Sequence, residues 1–304
     1  MKEKNYLEMV ITKEKLRENG RLKKLYSSIE NRLEKEKVIF SSLVNELITI
    51  LVNMDNCQIE ALGVLIYRLI EDNYEQKYVL CKLKLDQCKL LTRKLKDELY
   101  EVDSKLFLIS ETNNKNGPFD NNTSIDFDEV YEDVARISTD IKELRELNNL
   151  GKAAYSSIKK LLEYLTYIER WNSGNEKNSG VIAKSIKCSH LNDTKDKSIE
   201  VIYLLSKFQR EIETSVIHMK VIKEYEEYQK KANYFTEGYF VEWLLKENIN
   251  YTIDNLKILK SNLKDLMNTL KIKQDSAEVS LTEMIKGYNE KNYYEYIKNI
   301  ERKS

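Results

Sequence analysis

The chain has 304 residues, of which 33% are charged and 41% hydrophobic, and 50 basic residues balance 50 acidic ones. This composition is too apolar for a disordered chain, and 8 Gly and 1 Pro are too few for a sheet with tight turns. A formal net charge of zero supplies no basic field, so we expect no nucleic-acid partner. The composition predicts long, well-solvated helices in an all-α fold.

The N-terminal third carries neither a secretion signal nor a membrane span. Residues 1–15 mix Lys with Glu and have no continuous apolar core, which argues against a signal peptide. The densest apolar segment, residues 57–70, is too short and too often interrupted by polar residues to cross a bilayer. The four cysteines form no CxxC pair. We therefore expect a reduced, cytoplasmic location.

The first long heptad pattern begins at Leu22. Its seam positions are apolar except at Glu36, which predicts a helix with one continuous face against a neighbour. A capping-box pattern predicts a helix break at residues 55–56. Residues 57–70 are then apolar around most of the helix circumference, so several helices should converge on them.

The strongest heptad pattern lies between residues 74 and 109. Steps of four and three along it reach an apolar residue at every position except Thr92. The apolar positions are Tyr74, Tyr78, Cys81, Leu85, Cys88, Leu95, Leu99, Val102, Leu106 and Ile109. An apolar residue about every 3.5 positions keeps one seam against a partner helix, as in a coiled coil.

The segment that follows predicts a hairpin. Residues 111–126 hold the single Pro and many Asn, which indicates an exposed loop. A further heptad helix over 127–170 fails at Asn148 and Gly151, which are either a weak point that sets register or a hinge or binding notch. Because long helices joined by a short loop most simply fold back on each other, we predict that 74–110 and 127–170 pair as an antiparallel coiled-coil hairpin.

A polar stretch then interrupts the periodicity. Residues 172–197 include two Gly and only a faint apolar signal, and they predict a flexible linker. The linker would separate an N-terminal helical bundle at 1–171, which contains the hairpin, from a C-terminal helical hairpin at 198–304. The predicted fold is an all-α, elongated helical bundle with long antiparallel coiled-coil hairpins.

Motifs for catalysis or for cofactors are missing from the sequence. It contains no glycine-rich phosphate loop and no HExxH, and its 2 His leave little material for acid–base chemistry. Cys188 and His190 lack a second ligand pair, so a solvated loop is favoured over a zinc site. The basic stretch 82–96 is interpreted as the charged flank of a seam. We predict no catalytic residue, no cofactor and no bound metal.

Four tyrosines near the C-terminus are the predicted partner-binding residues, namely Tyr288, Tyr293, Tyr294 and Tyr296. Tyrosine is enriched at protein interfaces because it buries a large area at a low entropic cost. Adjacent positions on a helix diverge by about 100°, so one internal seam cannot bury all of them. They either dock a partner protein or pack back on the bundle.

Together these features predict a non-enzymatic coiled-coil scaffold or adaptor subunit of an intracellular multiprotein assembly, such as a tether, a kinetochore-like complex or a cytoskeletal complex. Its partners would be proteins, including other copies of the chain joined through coiled coils. The alternative is a membrane-acting helical protein, curvature-binding or pore-forming, that buries residues 57–70. An enzyme or nucleotide sensor with an all-helical pocket is the least supported class.

Overall fold

The computed structural model describes residues 2–59, 64–115, 125–174, 181–215, 223–239 and 249–301, with side chains over 10–52, 77–111 apart from Val79, 132–169, 193–215, 223–239 and 249–287. Six helices fill these ranges: α1 Lys2–Ile59, α2 Val64–Lys115, α3 Ile125–Gly174, α4 Val181–Thr214, α5 Lys223–Thr236 and α6 Ile249–Glu301. Every described residue is helical except 215 and 237–239. The all-α helical bundle is therefore confirmed.

Helices α1 and α2 run antiparallel and bury their predicted seams against each other. The Cys81 thiol donates to the carbonyl oxygen of Leu43, and the Cys88 thiol to that of Glu36, both at 3.3 Å. Every described seam position on the two helices is buried or half-buried. The seam residues form two apolar clusters, one around Leu22, Leu25, Ile29, Leu33, Leu95 and Val102, the other around Leu43, Ile50, Cys81, Leu85 and Cys88.

The largest apolar cluster joins α3, α4, α5 and α6, which we call the four-helix body. Its centre is a stripe of five fully buried leucines on α6: Leu256, Leu259, Leu263, Leu266 and Leu270. Each buried leucine stabilises the fold by about 1.5–3 kcal/mol relative to an exposed one. Helices α3 and α6 are antiparallel, because Arg145 bonds to Glu278 and Asn148 to Gln274. Leu91 of α2 also joins this cluster.

The predicted hairpin between 74–110 and 127–170 is wrong in its choice of partner. The seam of α2 packs on α1, whereas α3 packs mainly on α6 and α4. An apolar stripe specifies which face of a helix is buried but does not specify the helix that covers it. The seam of α1 also offers a complementary apolar stripe for α2. Helix α1 directly precedes α2 in the sequence, and the two helices pair with each other.

Helix α1 continues through residues 55–56 to Ile59, so the predicted break there is wrong. Asp and Gln within a helix cost at most about 0.7 kcal/mol each relative to Ala, so a capping-box pattern does not by itself end a helix. The side chains of residues 57–70 lie outside the described residues.

Residues 181–197, predicted as part of a flexible linker, lie in α4. At the end of this segment, where its side chains are described, Thr194 and the following Ser198 are fully buried, and the Ser198 hydroxyl donates to the carbonyl oxygen of Thr194 at 2.7 Å. Small polar residues on a buried face give no apolar period, so this end of the segment carries no helix signal in the sequence. Apolar residues from both sides of this segment, such as Leu161 and Leu205, share one cluster.

The seam defects of α3 are sites of close packing. A Cβ added to Gly151 would lie 2.9 Å from Cγ of Met267 and 3.4 Å from Cε2 of Phe208, so glycine lets α4 and α6 approach α3. The buried Asn148 donates from Nδ2 to Oε1 of Gln274 at 3.3 Å. These contacts favour the interpretation that the two residues set register between helices.

Candidate functional site: a polar junction between two helical units

The α1–α2 pair and the four-helix body meet along a surface that is rich in ion pairs. Lys142 bonds to Glu18 at 2.8 Å, and Glu132 lies 3.5 Å from Arg17. Apolar contact across the same surface comes from one face of α2, through Leu80, Leu83, Leu90 and Leu91. Association of the two units therefore depends on charge as well as on apolar burial.

Arg21 is the centre of this junction. Its side chain is 5% exposed and faces three carboxylates from two helices of the body. Nη2 bonds to Oε2 of Glu146 at 2.7 Å, Nη1 to Oε2 of Glu211 at 3.3 Å, and Nε lies 3.6 Å from Oε1 of Glu143. Glu143 and Glu146 are three positions apart, so one face of α3 presents both to α1.

The carboxylates outnumber the cation that they surround. Burial disfavours the charge of Arg21, but Glu146, Glu211 and Glu143 outweigh that effect and raise the pKa of its guanidinium. Burial raises the pKa of Glu211, and Arg21 and Lys207 oppose the rise. Arg21 is thus the largest of the charges that oppose the effect of burial on the pKa of Glu211.

A second buried ion pair joins α2 to α4. Nη2 of Arg210 donates to Oε2 of Glu98 at 2.7 Å, and both side chains are buried. Tyr203 lies beside this pair; burial, followed by the charge and hydrogen bonding of Glu98, raises the pKa of its phenol. Lys94 stands over the Tyr203 ring, 4.8 Å from its centroid. Replacing such a buried pair by apolar residues is often neutral for stability, whereas removing one partner alone is strongly destabilising.

A polar cleft of about 620 Å³ opens where α1, α4 and α5 converge. Each helix contributes one polar face, with positions three or four apart. Its lining includes Lys24, Ser28, Asn31, Arg32 and Lys35 from α1, Ser206, Gln209, Arg210 and Glu213 from α4, and Gln229, Asn233 and Thr236 from α5. The arrangement can bind a polar or charged ligand through many hydrogen bonds.

The walls of the cleft are tied together by direct hydrogen bonds. Gln209 donates from Nε2 to Oδ1 of Asn233 at 2.7 Å, which joins α4 to α5. Arg32 donates from Nη2 to the carbonyl oxygen of Thr236 at 3.2 Å, which joins α1 to the end of α5. The cleft therefore has a defined shape that depends on both helical units.

A second cavity, of about 510 Å³, lies among α1, α3 and α6 and is lined in part by Arg21. Its polar lining includes Glu14, Glu18, Thr139, Glu143 and Glu278. Among the described residues, no group of three His, Cys, Asp or Glu side chains is placed to hold a metal ion. Arg21 and Lys142, which line the same cavity, supply the opposite charge to these carboxylates.

The outer faces of the α1–α2 pair carry exposed apolar side chains. Tyr100, Phe107 and Leu108 on α2 are 77%, 61% and 61% exposed. Because positions seven and eight apart return to the same side of a helix, these three residues share one face. Ile48, Leu51 and Val52 form a similar exposed set on α1. Within the described ranges, no helix combines the length and hydropathy needed to cross a membrane.

The predicted partner-binding residues, Tyr288, Tyr293, Tyr294 and Tyr296, all lie on α6. Their side chains fall outside the described residues, so their role stays a prediction. Cys188 and His190 lie on α4 and not in a loop, and their side chains are likewise outside the description.

The basic stretch 82–96 contacts the protein itself. Lys84 stands over the ring of Tyr239 at 4.9 Å from its centroid, as Lys94 does over Tyr203. These cation–π contacts use part of its positive charge within the fold.

Sequence reasoning missed the residues that form the junction. Arg21 and Glu98 stand one position before the seam residues Leu22 and Leu99, where a coiled coil also carries solvated charges. Arg210 and Glu211 likewise read as the solvent side of an amphipathic helix. Glu36, the one charge within the seam of α1, is buried and bonded to Arg32 at 2.7 Å, but it lies inside the α1–α2 pair and gives no sign of the junction.

The fold and this junction define an all-α helical bundle built from two units with a polar interface. In comparisons with known proteins, no protein-family model, no curated protein and no solved structure matches the chain.

Proposed function

We propose that this protein is a non-enzymatic helical scaffold, a cytoplasmic adaptor subunit that holds other proteins together in an assembly. The observation that carries the proposal is the exposed apolar face of α2, formed by Tyr100, Phe107 and Leu108. Large side chains of this kind, gathered on one side of a helix and exposed, are typical of protein-interaction surfaces.

The position of that face suits docking. The opposite side of α2 holds the seam residues Leu99, Val102 and Leu106, which pack on α1. Burial of the seam therefore leaves the Tyr100 side free for a partner. The hydrogen bonds of Cys81 and Cys88 define the register between α1 and α2. In that register Leu16 of α1, which is also exposed, lies at the same height along the pair as Leu108 of α2.

The lengths of the helices also support a scaffold. Helix α1 has 58 residues and α6 has 53. At 1.5 Å per residue these helices are about 87 Å and about 80 Å long, enough to separate two docking sites. Their mixed charge solvates the remaining surface, and the missing catalytic motifs favour a role in binding.

Site-specific photo-crosslinking in the native cell tests the proposal. A photoreactive phenylalanine analogue at Phe107 should crosslink to one defined protein, which mass spectrometry then identifies. The matched control places the same analogue at Lys160, an exposed polar position on α3. The proposal fails if position 107 gives no adduct, or if both positions give the same set of adducts.

A membrane-acting protein is the second candidate, and the exposed set Ile48, Leu51 and Val52 favours it. This set immediately precedes the apolar segment 57–70 along the chain. Flotation with liposomes, with and without anionic lipid, tests this candidate. Binding that is lost on replacing Ile48 and Val52 by Ser, and kept on replacing Val38, which is exposed on the same helix, would support it.

A further inference from the structure

We propose that two exposed faces of this chain bind each other between copies, so that α2 of one copy docks on α6 of the next. This inference rests on the proposed docking role of the α2 face, formed by Tyr100, Phe107 and Leu108, and it names the partner of that face as a second copy of the chain. It is carried by an exposed apolar stripe on α6, by the opposite charges of the two faces, and by the exposed charges that lack an ion pair.

The outer side of α6 carries an apolar stripe that is exposed. Its four residues are between 44% and 69% exposed, namely Tyr251, Ile258, Ile272 and Val279. They keep a seven-residue interval, with Asp265 at the one position between Ile258 and Ile272. An apolar residue at this interval is typical of a coiled-coil seam. The buried leucines of α6 lie on the other side of the helix, so this second stripe is available to a partner.

Lysines border the exposed stripe. The position directly before a seam residue is one where coiled coils carry the charges that choose a partner. On α6 three successive positions of this kind hold Lys257, Lys264 and Lys271. Helix α3 adds Lys152, which lies close to the level of Lys264 because the adjacent Gly151 packs on Met267. The stripe and these four lysines are called the α6 face.

The two faces carry opposite charge although the whole chain is neutral. Residues 97–111 of α2 hold five acidic residues and one lysine, and all of the acidic residues except Glu98 are exposed. Residues 254–275 of α6 hold five lysines and three aspartates. Opposite potentials bring two surfaces together, whereas like charges keep a surface from pairing with a copy of itself. The charges therefore favour contact of α2 with α6.

Some of these charges form no ion pair within the copy. Asp97 and Glu111, which flank the α2 face, have no ion-pair partner in the part of the chain that the structure describes. The same is true of Lys152 and Lys264 among the described residues. The other two lysines of the α6 face pair with aspartates of their own helix, but such exposed pairs contribute little and are easily exchanged.

Contact between two different faces does not close on itself. The main neighbours of α2 are α1 and α4, and those of α6 are α3 and α5. A copy that docks its α2 face still exposes its α6 face, so a further copy can add to it. Copies should therefore form chains whose length rises with protein concentration. Association should weaken as salt is added, because salt screens the attraction between exposed charges.

Sedimentation velocity of the full-length chain, over a range of protein and salt concentrations, tests the proposal. The α2 variant, Asp97→Lys with Glu111→Lys, gives both faces an excess of positive charge. The α6 variant, Lys152→Glu with Lys264→Glu, gives both faces an excess of negative charge. Each variant alone should need a roughly tenfold or higher concentration to associate, because like charges then face each other. All four substituted residues are exposed, so both variants should keep the helical circular dichroism.

An equimolar mixture of the two variants is the decisive sample. The α2 face of each variant is then opposite in charge to the α6 face of the other, so association should return. The matched control, Glu34→Lys with Glu46→Lys, makes the same charge change as the α2 variant at exposed positions of α1, and it should associate as the unmodified chain does.

The proposal is overturned if the unmodified chain stays monomeric, if the control is weakened as much as the α2 variant, or if the mixture does not recover. Failure here is distinct from failure of the scaffold role. A monomeric chain that crosslinks through position 107 to a different protein keeps its docking face and loses only self-assembly. A crosslink from position 107 to another copy of the chain supports both.

Discussion

Replacing Arg21 by Met should be among the most damaging single substitutions in this chain. The change removes the guanidinium that lies within 3.6 Å of Glu143, Glu146 and Glu211, and so leaves all three carboxylates without this partner. Breaking a buried pair by removing one partner costs about 3–5 kcal/mol. Because the Glu146 side chain is 45% exposed and keeps access to water, we expect a loss near the lower end, about 3 kcal/mol.

The loss should depend on pH in a defined direction. Burial already raises the pKa of Glu211 in the folded state, and removing Arg21 removes the strongest opposing charge. A carboxyl whose folded-state pKa lies above its unfolded value destabilises the fold as the pH rises through that interval. Each further pKa unit adds roughly 1.4 kcal/mol to the loss at neutral and higher pH. The variant should therefore be less impaired at about pH 5 than at about pH 8.

Urea denaturation followed by far-ultraviolet circular dichroism, at both pH values, measures this effect. Arg136→Met is the matched control, because Arg136 forms an exposed pair with Asp133 at 2.6 Å and its loss should cost at most about 1 kcal/mol. Adding Glu211→Gln to the Arg21 variant should recover part of the loss at the higher pH. A loss below about 1 kcal/mol at both pH values, or one that grows on acidification, would refute the reasoning.

Three other outcomes are expected. Gly151→Val should lower the free energy of unfolding by roughly 1–3 kcal/mol, because the new side chain meets Met267. Gly20→Ala should instead raise the free energy of unfolding by about 1 kcal/mol, because the space around Gly20 is open. Thermal melts of the two variants measure both effects. Burial raises the pKa of the Cys88 thiol to about 12, so iodoacetamide should label Cys88 far more slowly in the folded chain than in urea, and equal rates would contradict its burial. Removal of residues 288–304 should leave the melting temperature nearly unchanged and abolish capture of at least one partner; a drop of many degrees would place the tyrosines in the bundle.

The heptad periodicity correctly predicted which faces of α1 and α2 are buried, but it did not predict which helix covers each face. Burying an apolar stripe gains the same transfer free energy against any complementary stripe. The helix that covers the stripe is therefore decided by the connections between helices and by the other helices of the fold. The structure separates Ile59 from Val64 by four residues, a shorter connection than the nine between Lys115 and Ile125. The prediction treated residues 57–70 as one helix after a break, and it therefore did not consider a short connection between α1 and α2.

The junction was beyond prediction for a different reason. Arg, Lys and Glu are mostly exposed in folded proteins, so a single sequence gives no sign that Arg21 or Glu98 is buried. Their burial arises from the assembly of four helices distant in sequence, since Arg21 and Glu211 are 190 positions apart. The polar cleft could not be predicted either, because each of its three walls, taken alone, has the pattern of an ordinary solvated helix face.

The pairing of α3 with α6 has a consequence for synthesis of the chain. Asn148 and Gln274, which bond across these helices, are 126 positions apart. A ribosome that adds about 5–20 residues per second needs roughly 6–25 s to pass from one to the other. For that interval the apolar side of α3, with Ile158, Leu161 and Leu165, lacks the leucine stripe that finally covers it. We therefore expect the nascent chain to bind chaperones until its last helix has emerged.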